Sequence, residues 1–217
     1  MPTTISVSGR AELRVAPELA AVTLSIGDSG ADREGVAERT AAAHTRLLDA
    51  IRELEASGVL EAWSADQVRV WSFRPWNDQG AQLPLVHQSS AEVEVVFRDL
   101  VRVGEWLGEA APTEALTIGG IDWRLTDQTL ATTQEAAQRA AVTDAVAKAA
   151  VYASALGLGT PVVVELADHG MLSAVPAAMP GVMAMRGDKA SGGPTEFSPQ
   201  DLVITAAVDA RFSADAA

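Results

Sequence analysis

Several groups of residues in this chain have side chains suited to chemistry. Gly27-Asp28-Ser29-Gly30 spells the nucleophile tetrapeptide of a Ser-His-Asp protease. Attack by such a serine needs a histidine base in hydrogen-bond reach, an acid to orient it and an oxyanion hole. Here the tetrapeptide joins a strand pattern to a helix pattern, in a chain whose remaining pattern fits no double β-barrel. It therefore reads as a turn and helix start. The three histidines, His44, His87 and His169, fall on separate elements, and none has a metal-ligand partner two to four residues away. His44 sits at the edge of an apolar helical stripe, and His87 on the small, inward side of a strand. No catalytic, cofactor-binding or metal-ligating residue is assigned, and no cofactor is expected.

Two further groups stand as ligand or interface candidates. Met171, Met179, Met183 and Met185 cluster in one irregular stretch. Thioether sulfurs suit copper(I), but they also make adaptable contact surfaces. Such a segment is seldom left exposed on a monomer, so contact with a sister subunit is favoured. Trp71 and Trp76 lie near a long hairpin and could wall a ligand. Filling a core or an interface is the commoner use of tryptophan there.

Composition narrows the classes. The 217 residues suffice for a substantial core, and 48% hydrophobic with 21% charged content is globular. The formal net charge of -13 disfavours nucleic acid and anionic lipid as partners. The absence of cysteine excludes disulfides, thiol catalysis and cysteine-held metals. No window approaches the ~20 apolar residues that span a bilayer. The start, MPTTISVSGR, is neither basic nor apolar over a signal's length, so the chain as written reads as cytoplasmic. A chain trimmed of its signal would look the same and would be periplasmic or secreted.

The elements that must hold these residues follow from periodicity. Ile5 to Val15 and Ala20 to Ile26 alternate with period two, which predicts two half-buried antiparallel strands, Gly9 making a bulge and Pro17 the turn. Val36, Thr40, Ala43, Leu47, Ile51 and Leu54 form one helical stripe, with Asp32 as N-cap and Gly58 as left-handed stop. Strands at Val68 to Trp76 and Leu83 to Phe97 form a hairpin around Asn77-Asp78-Gln79-Gly80. A short helix from Asp99 to Ala110 ends before Pro112. The next strand carries Ile118, Ile121, Trp123 and Leu125, with a bulge at Gly119-Gly120. A long helix from about Asp127 to Leu156 shows Ala137, Ala141, Ala145, Ala149, Tyr152 and Leu156 on one stripe. Its small residues invite close packing. Strands at Val162 to Leu166 and Leu202 to Phe212 complete an α+β fold, mostly antiparallel with helices on one face. It reads as one domain over 1–217, with an irregular Met/Gly/Pro-rich segment at about 169–198.

Four segments together resemble the SIMPL-domain family of bacterial proteins. They are the opening Val7, Gly9 and Pro17-Glu18, the stretch FRDLVRVGEWL, the block IGGIDWRLTD with the alanine-rich helix ending in Ala-Leu-Gly, and the closing FSPQDLVITAAVDARF. Glu18 stands where the family more usually has aspartate. The resemblance runs from Ile5 to Phe212. It implies an α+β domain of a family that is mostly exported, in part periplasmic and linked to stress tolerance, with at least one periplasmic immunogenic member that assembles into a large ring- or barrel-like homo-oligomer. It implies no catalytic residue set.

The function expected is therefore that of a non-enzymatic, homo-oligomeric structural or interaction module. The alternative is a small-molecule-binding protein, with an apolar pocket near Trp71 and Trp76 and the Met-rich segment as its lid.

Overall fold

The computed structural model describes residues 2–113, 115–172 and 199–216. Eleven elements follow one another: β1 (Thr3–Val15), β2 (Leu19–Gly30), α1 (Arg33–Ala56), β3 (Leu60–Ala65), β4 (Arg69–Phe73), β5 (Val86–Phe97), α2 (Leu100–Ala110), β6 (Leu116–Arg124), α3 (Asp127–Ala155), β7 (Val162–Asp168) and β8 (Leu202–Ala214). All strand pairs among the described residues are antiparallel, and the α+β expectation is met. The elements divide between two compact units.

One unit holds a three-stranded sheet, ordered β1-β8-β7, with α3. The first two strands of the chain do not pair with each other, contrary to the hairpin expectation. β1 runs along β8 without a slip from Thr3 opposite Ala214 to Val15 opposite Leu202, while β2 belongs to the other sheet. Alternation fixes which face of a strand is buried but not its neighbour. The link Ala16-Pro17-Glu18 also lacks the left-handed residue that a tight hairpin turn requires.

Nor is Gly9 a bulge, since it sits in unbroken register opposite Val208. Its task is to admit α3. A Cβ at this position would lie 2.8 Å from both the Cβ and the backbone nitrogen of Ala145, and closer still to the carbonyl oxygen of Ala141. Polar clasps flank the approach: the Arg10 N–H donates to Asp144 (2.8 Å), and Lys148 Nζ donates to the Ser8 carbonyl (3.0 Å). The buried face of α3 is Ala137, Ala141, Ala145, Ala149 and Ala153, the last four packed on Ile5, Val208, Ala210 and Phe212. Tyr152 and Leu156, expected on that stripe, are exposed. The stripe continues in steps of four to Ala153, because a backbone this close admits only methyl groups.

The second unit carries the sheet β3-β5-β2-β6, with β4 also paired to β5. β3 was not expected from the sequence, because only Leu60 of its six residues is buried and its pattern barely alternates. It lies along Val93 to Phe97 of β5, and β4 lies along Val86 to Ser90, so the two share one edge interrupted near Asp66. The β4–β5 hairpin is as expected: Asn77 Oδ1 accepts from the N–H groups of Gln79 and Ala81, and Gly80 adopts a φ of 75°. The expected bulge in β6 is at Gly119, where the register against β2 slips. Asp32 and Asp99 cap α1 and α2 by accepting backbone N–H bonds, and Gly58 follows α1 at φ 79°. Both helices pack on the Val22, Leu24, Val93, Val95 and Phe97 face of the sheet. Phe97 meets Trp106 with ring centroids 5.4 Å apart, a tilted pair worth ~0.5–1.5 kcal/mol beyond burial.

Candidate functional site

Two surfaces stand out, one in each unit. The first is a cleft in the second unit, at the end of β2. β6 begins at Leu116 opposite Ile26, and the last bond on that side runs from the Gly27 N–H to the Ala115 carbonyl (2.9 Å). β2 continues to Gly30 beyond it. Its next free donor, the Ser29 N–H, is taken by the carboxylate of Asp28 (2.8 Å). Asp28 also accepts from Arg39 Nε of α1 at 2.6 Å. The Arg39 hydrogen bond holds the Asp28 carboxyl below the usual carboxylate range against the opposing effect of burial, and the Ser29 N–H adds to the lowering. Gly27-Asp28-Ser29-Gly30 is thus a strand end latched to a helix, where the sequence suggested a turn.

A cavity of about 870 Å³ surrounds this strand end. Register and alternation divide its walls. Asp28 lies opposite Ser89 on the α1 side, where the Ser89 and Thr40 hydroxyls form a buried hydrogen bond. Ser25 and Ser90 lie on the other side, joined through their hydroxyls at 3.2 Å. Trp71 pairs with Gln88 there and is 44% exposed. Arg39 and Arg46 contribute from α1. Arg46 Nε donates to the Ala42 carbonyl (3.3 Å), and among the described residues its guanidinium has no carboxylate partner. Hydroxyl, amide and guanidinium groups make up about half of the walls and apolar side chains the other half, so the cleft is more polar than the pocket that the tryptophans suggested.

The second surface belongs to the three-stranded sheet. Val163 and Leu166 of β7 lie in register with Phe212 and Ala210, whose side chains α3 buries. Yet Val163 and Leu166 are 56% and 51% exposed. α3 covers β1 and β8, and among the described residues no helix packs closely on this third strand. Val162 and Val164 are exposed as well, and a bulge falls at Val164.

Of the tryptophans and methionines named as ligand or interface candidates, Trp71 alone among the described residues lines the cleft, together with Gly27, Asp28 and Ser29 of the tetrapeptide. Trp76 is 65% exposed and bridges to Gln82. Met171 follows β7 and is 75% exposed. Met179, Met183 and Met185 lie outside the described residues. The histidines do not converge. His87 Nδ1 and Ser72 Oγ are 2.7 Å apart, and His44 has a buried Nε2 without a hydrogen-bond partner among the described residues. His169 Nδ1 lies 3.1 Å from Asp209, whose other oxygen accepts the Gly170 N–H at 2.7 Å. That backbone donor chiefly, then His169 and Ser8, keep the Asp209 carboxyl below its ordinary range, with burial opposing. Among the described residues no cluster of three metal-ligating side chains occurs, and no helix is long and apolar enough to cross a membrane.

The family model for SIMPL, described as a protein of unknown function (DUF541), matches residues 5–212. The chain belongs to the SIMPL family. The match spans both units of the fold, from β1 to β8. No curated protein matches this SIMPL chain.

The sequence reading set Asp28 aside with its tetrapeptide and missed Arg39, Arg46 and the Ser25–Ser90 pair. Arg39 and Arg46 are seven residues apart on α1, beside its buried stripe of Val36, Thr40 and Ala43. That spacing places two cations along one side of a helix and was the available signal.

Proposed function

We propose that this SIMPL protein is a self-associating structural or interaction module and not an enzyme, with stress tolerance as its setting, as the family resemblance implies. The observation that carries the reading is the bare face of β7. Val163 and Leu166 continue the apolar face that α3 covers elsewhere, but no described element of the chain covers them. An uncovered apolar sheet face favours association, each ~100 Å² removed from water contributing ~2.5 kcal/mol. The bulge at Val164 works against strand-to-strand addition at this edge, so the contact proposed is face to face. A second copy is the fitting occupant, because an isologous contact sets the same apolar face against itself.

The test is the molar mass of wild type and of Val163→Asp/Leu166→Asp by size exclusion with light scattering. The account expects an oligomer for wild type and a folded, cooperatively melting monomer for the variant, since both side chains are exposed in the protomer. An oligomer unaffected by the two aspartates would move the interface elsewhere and refute the role of β7.

A further inference from the structure

The cleft at the end of β2 has no part in that reading, and its lining points to a ligand. Three features of the lining bear on what that ligand is. The first is charge. The whole chain carries 29 acidic against 16 basic residues, yet among the described residues two guanidiniums, Arg39 and Arg46, line this cleft with one carboxylate, Asp28. Arg39 is engaged with Asp28 at 2.6 Å, which leaves Arg46 as the positive excess. A local positive charge on an acidic surface selects an anion, and a planar guanidinium suits a carboxylate.

The second feature is a row of hydroxyls. Ser25, Ser29, Ser90 and Thr117 all line the cavity, and each hydroxyl can both donate and accept. A polyhydroxylated ligand matches such a row, whereas a purely apolar one would strand it. The third is Trp71, exposed at the wall and held by β4 in register with Gln88. An indole face of this kind packs against the C–H face of a sugar ring. The cavity extends round a strand end from α1 to the opposite side of the sheet. At about 870 Å³ it lies in the upper part of the ~300–1,000 Å³ range of ligand pockets, which suits more than one ring.

We infer that this cleft binds an acidic oligosaccharide, with Arg46 pairing a uronate carboxylate, the serine and threonine hydroxyls meeting ring hydroxyls, and Trp71 packing a ring face. The Asp28–Arg39 pair orients the site. It fixes the end of β2 against α1 and blocks the Ser29 N–H, so that no further strand is added at this edge.

The experiment is isothermal titration of the full chain with trigalacturonate, maltotriose and citrate. Trigalacturonate should bind with a sub-millimolar Kd, and neutral maltotriose at least ~10-fold more weakly. Arg46→Gln and Trp71→Ala should each weaken trigalacturonate at least ~10-fold while leaving the Tm unchanged, because both side chains are exposed. Absence of trigalacturonate binding at ~10 mM would overturn the inference. So would maltotriose binding equally well, or either variant matching wild type. Citrate competing as strongly as trigalacturonate would mark a simple anion site and overturn it too. These readouts are independent of oligomeric state, so their failure leaves the self-association reading standing.

Discussion

Replacing Gly9 with alanine should be among the most damaging single-methyl changes in this protein. The new Cβ would stand 2.8 Å from Ala145 Cβ and Ala145 N, and nearer to the Ala141 carbonyl, whereas ordinary contact begins at 3.4 Å. The Ala141 oxygen sets the demand: α3 and β1 would have to part by more than about 1 Å, and none of the obstructing atoms is the end of a flexible side chain. A gap of ~0.5–1 Å forfeits about a quarter to a half of each dispersion contact. That loss would fall on the whole stripe from Ala141 to Ala153. Overpacking ordinarily costs ~1–3 kcal/mol, and a collision with backbone belongs at the upper end, ~3 kcal/mol. For a chain of this size that lowers Tm by ~6–12 °C. Urea denaturation of wild type, Gly9→Ala and Gly9→Ala/Ala145→Gly measures it. The double variant should recover little, because the Ala141 oxygen and Ala145 nitrogen remain. A Gly9→Ala protein within ~0.5 kcal/mol of wild type would refute the close-approach reasoning.

Thr40→Val should cost ~1–2 kcal/mol by leaving the buried Ser89 hydroxyl with only distant carbonyls, while Thr40→Val/Ser89→Ala should cost less than the sum of the single changes. A thermodynamic cycle in urea reads this coupling, and strict additivity would contradict it. The Asp28 carboxyl is held low in the folded state, so its stabilisation is complete above the ordinary aspartate value of ~3.9 and fades as pH falls through the lower folded value. The stability gap between wild type and Arg39→Gln should therefore be present at neutral pH and shrink in acid; an equal gap at both would refute the pairing. Self-association of a chain with net charge -13 should strengthen from low to high salt as screening shortens from ~30 Å at 0.01 M to ~3 Å at 1 M, and weakening would point to a salt-bridged interface instead.

Much of the fold was legible because it follows local rules. Asp32 and Asp99 announce helix starts through their side-chain oxygens, and Gly58 and Gly80 supply the left-handed turns. Gly119 marks its bulge for the same local reason. What failed was non-local. The alternation of Ile5 to Val15 shows which face is buried but not that the partner is β8, almost two hundred residues away. Gly9 carried a signal that was misassigned: glycine in a strand fits a bulge or a close backbone approach equally, and only the alanines of α3 decide between them. The exposure of Val163 and Leu166 could not be read from β7, since it depends on where α3 lies over the sheet. At the cleft, Trp71 was legible as an aromatic wall, but Asp28 and Arg46 come together only through the end of β6 and the rotation of α1.

Sedimentation equilibrium of the wild-type protein from ~1 to ~50 µM tests the central proposal most directly. A weight-average mass that rises to a fixed multiple of the 22.6 kDa protomer is the result the account predicts. A mass that stays at one protomer across the whole range would contradict it.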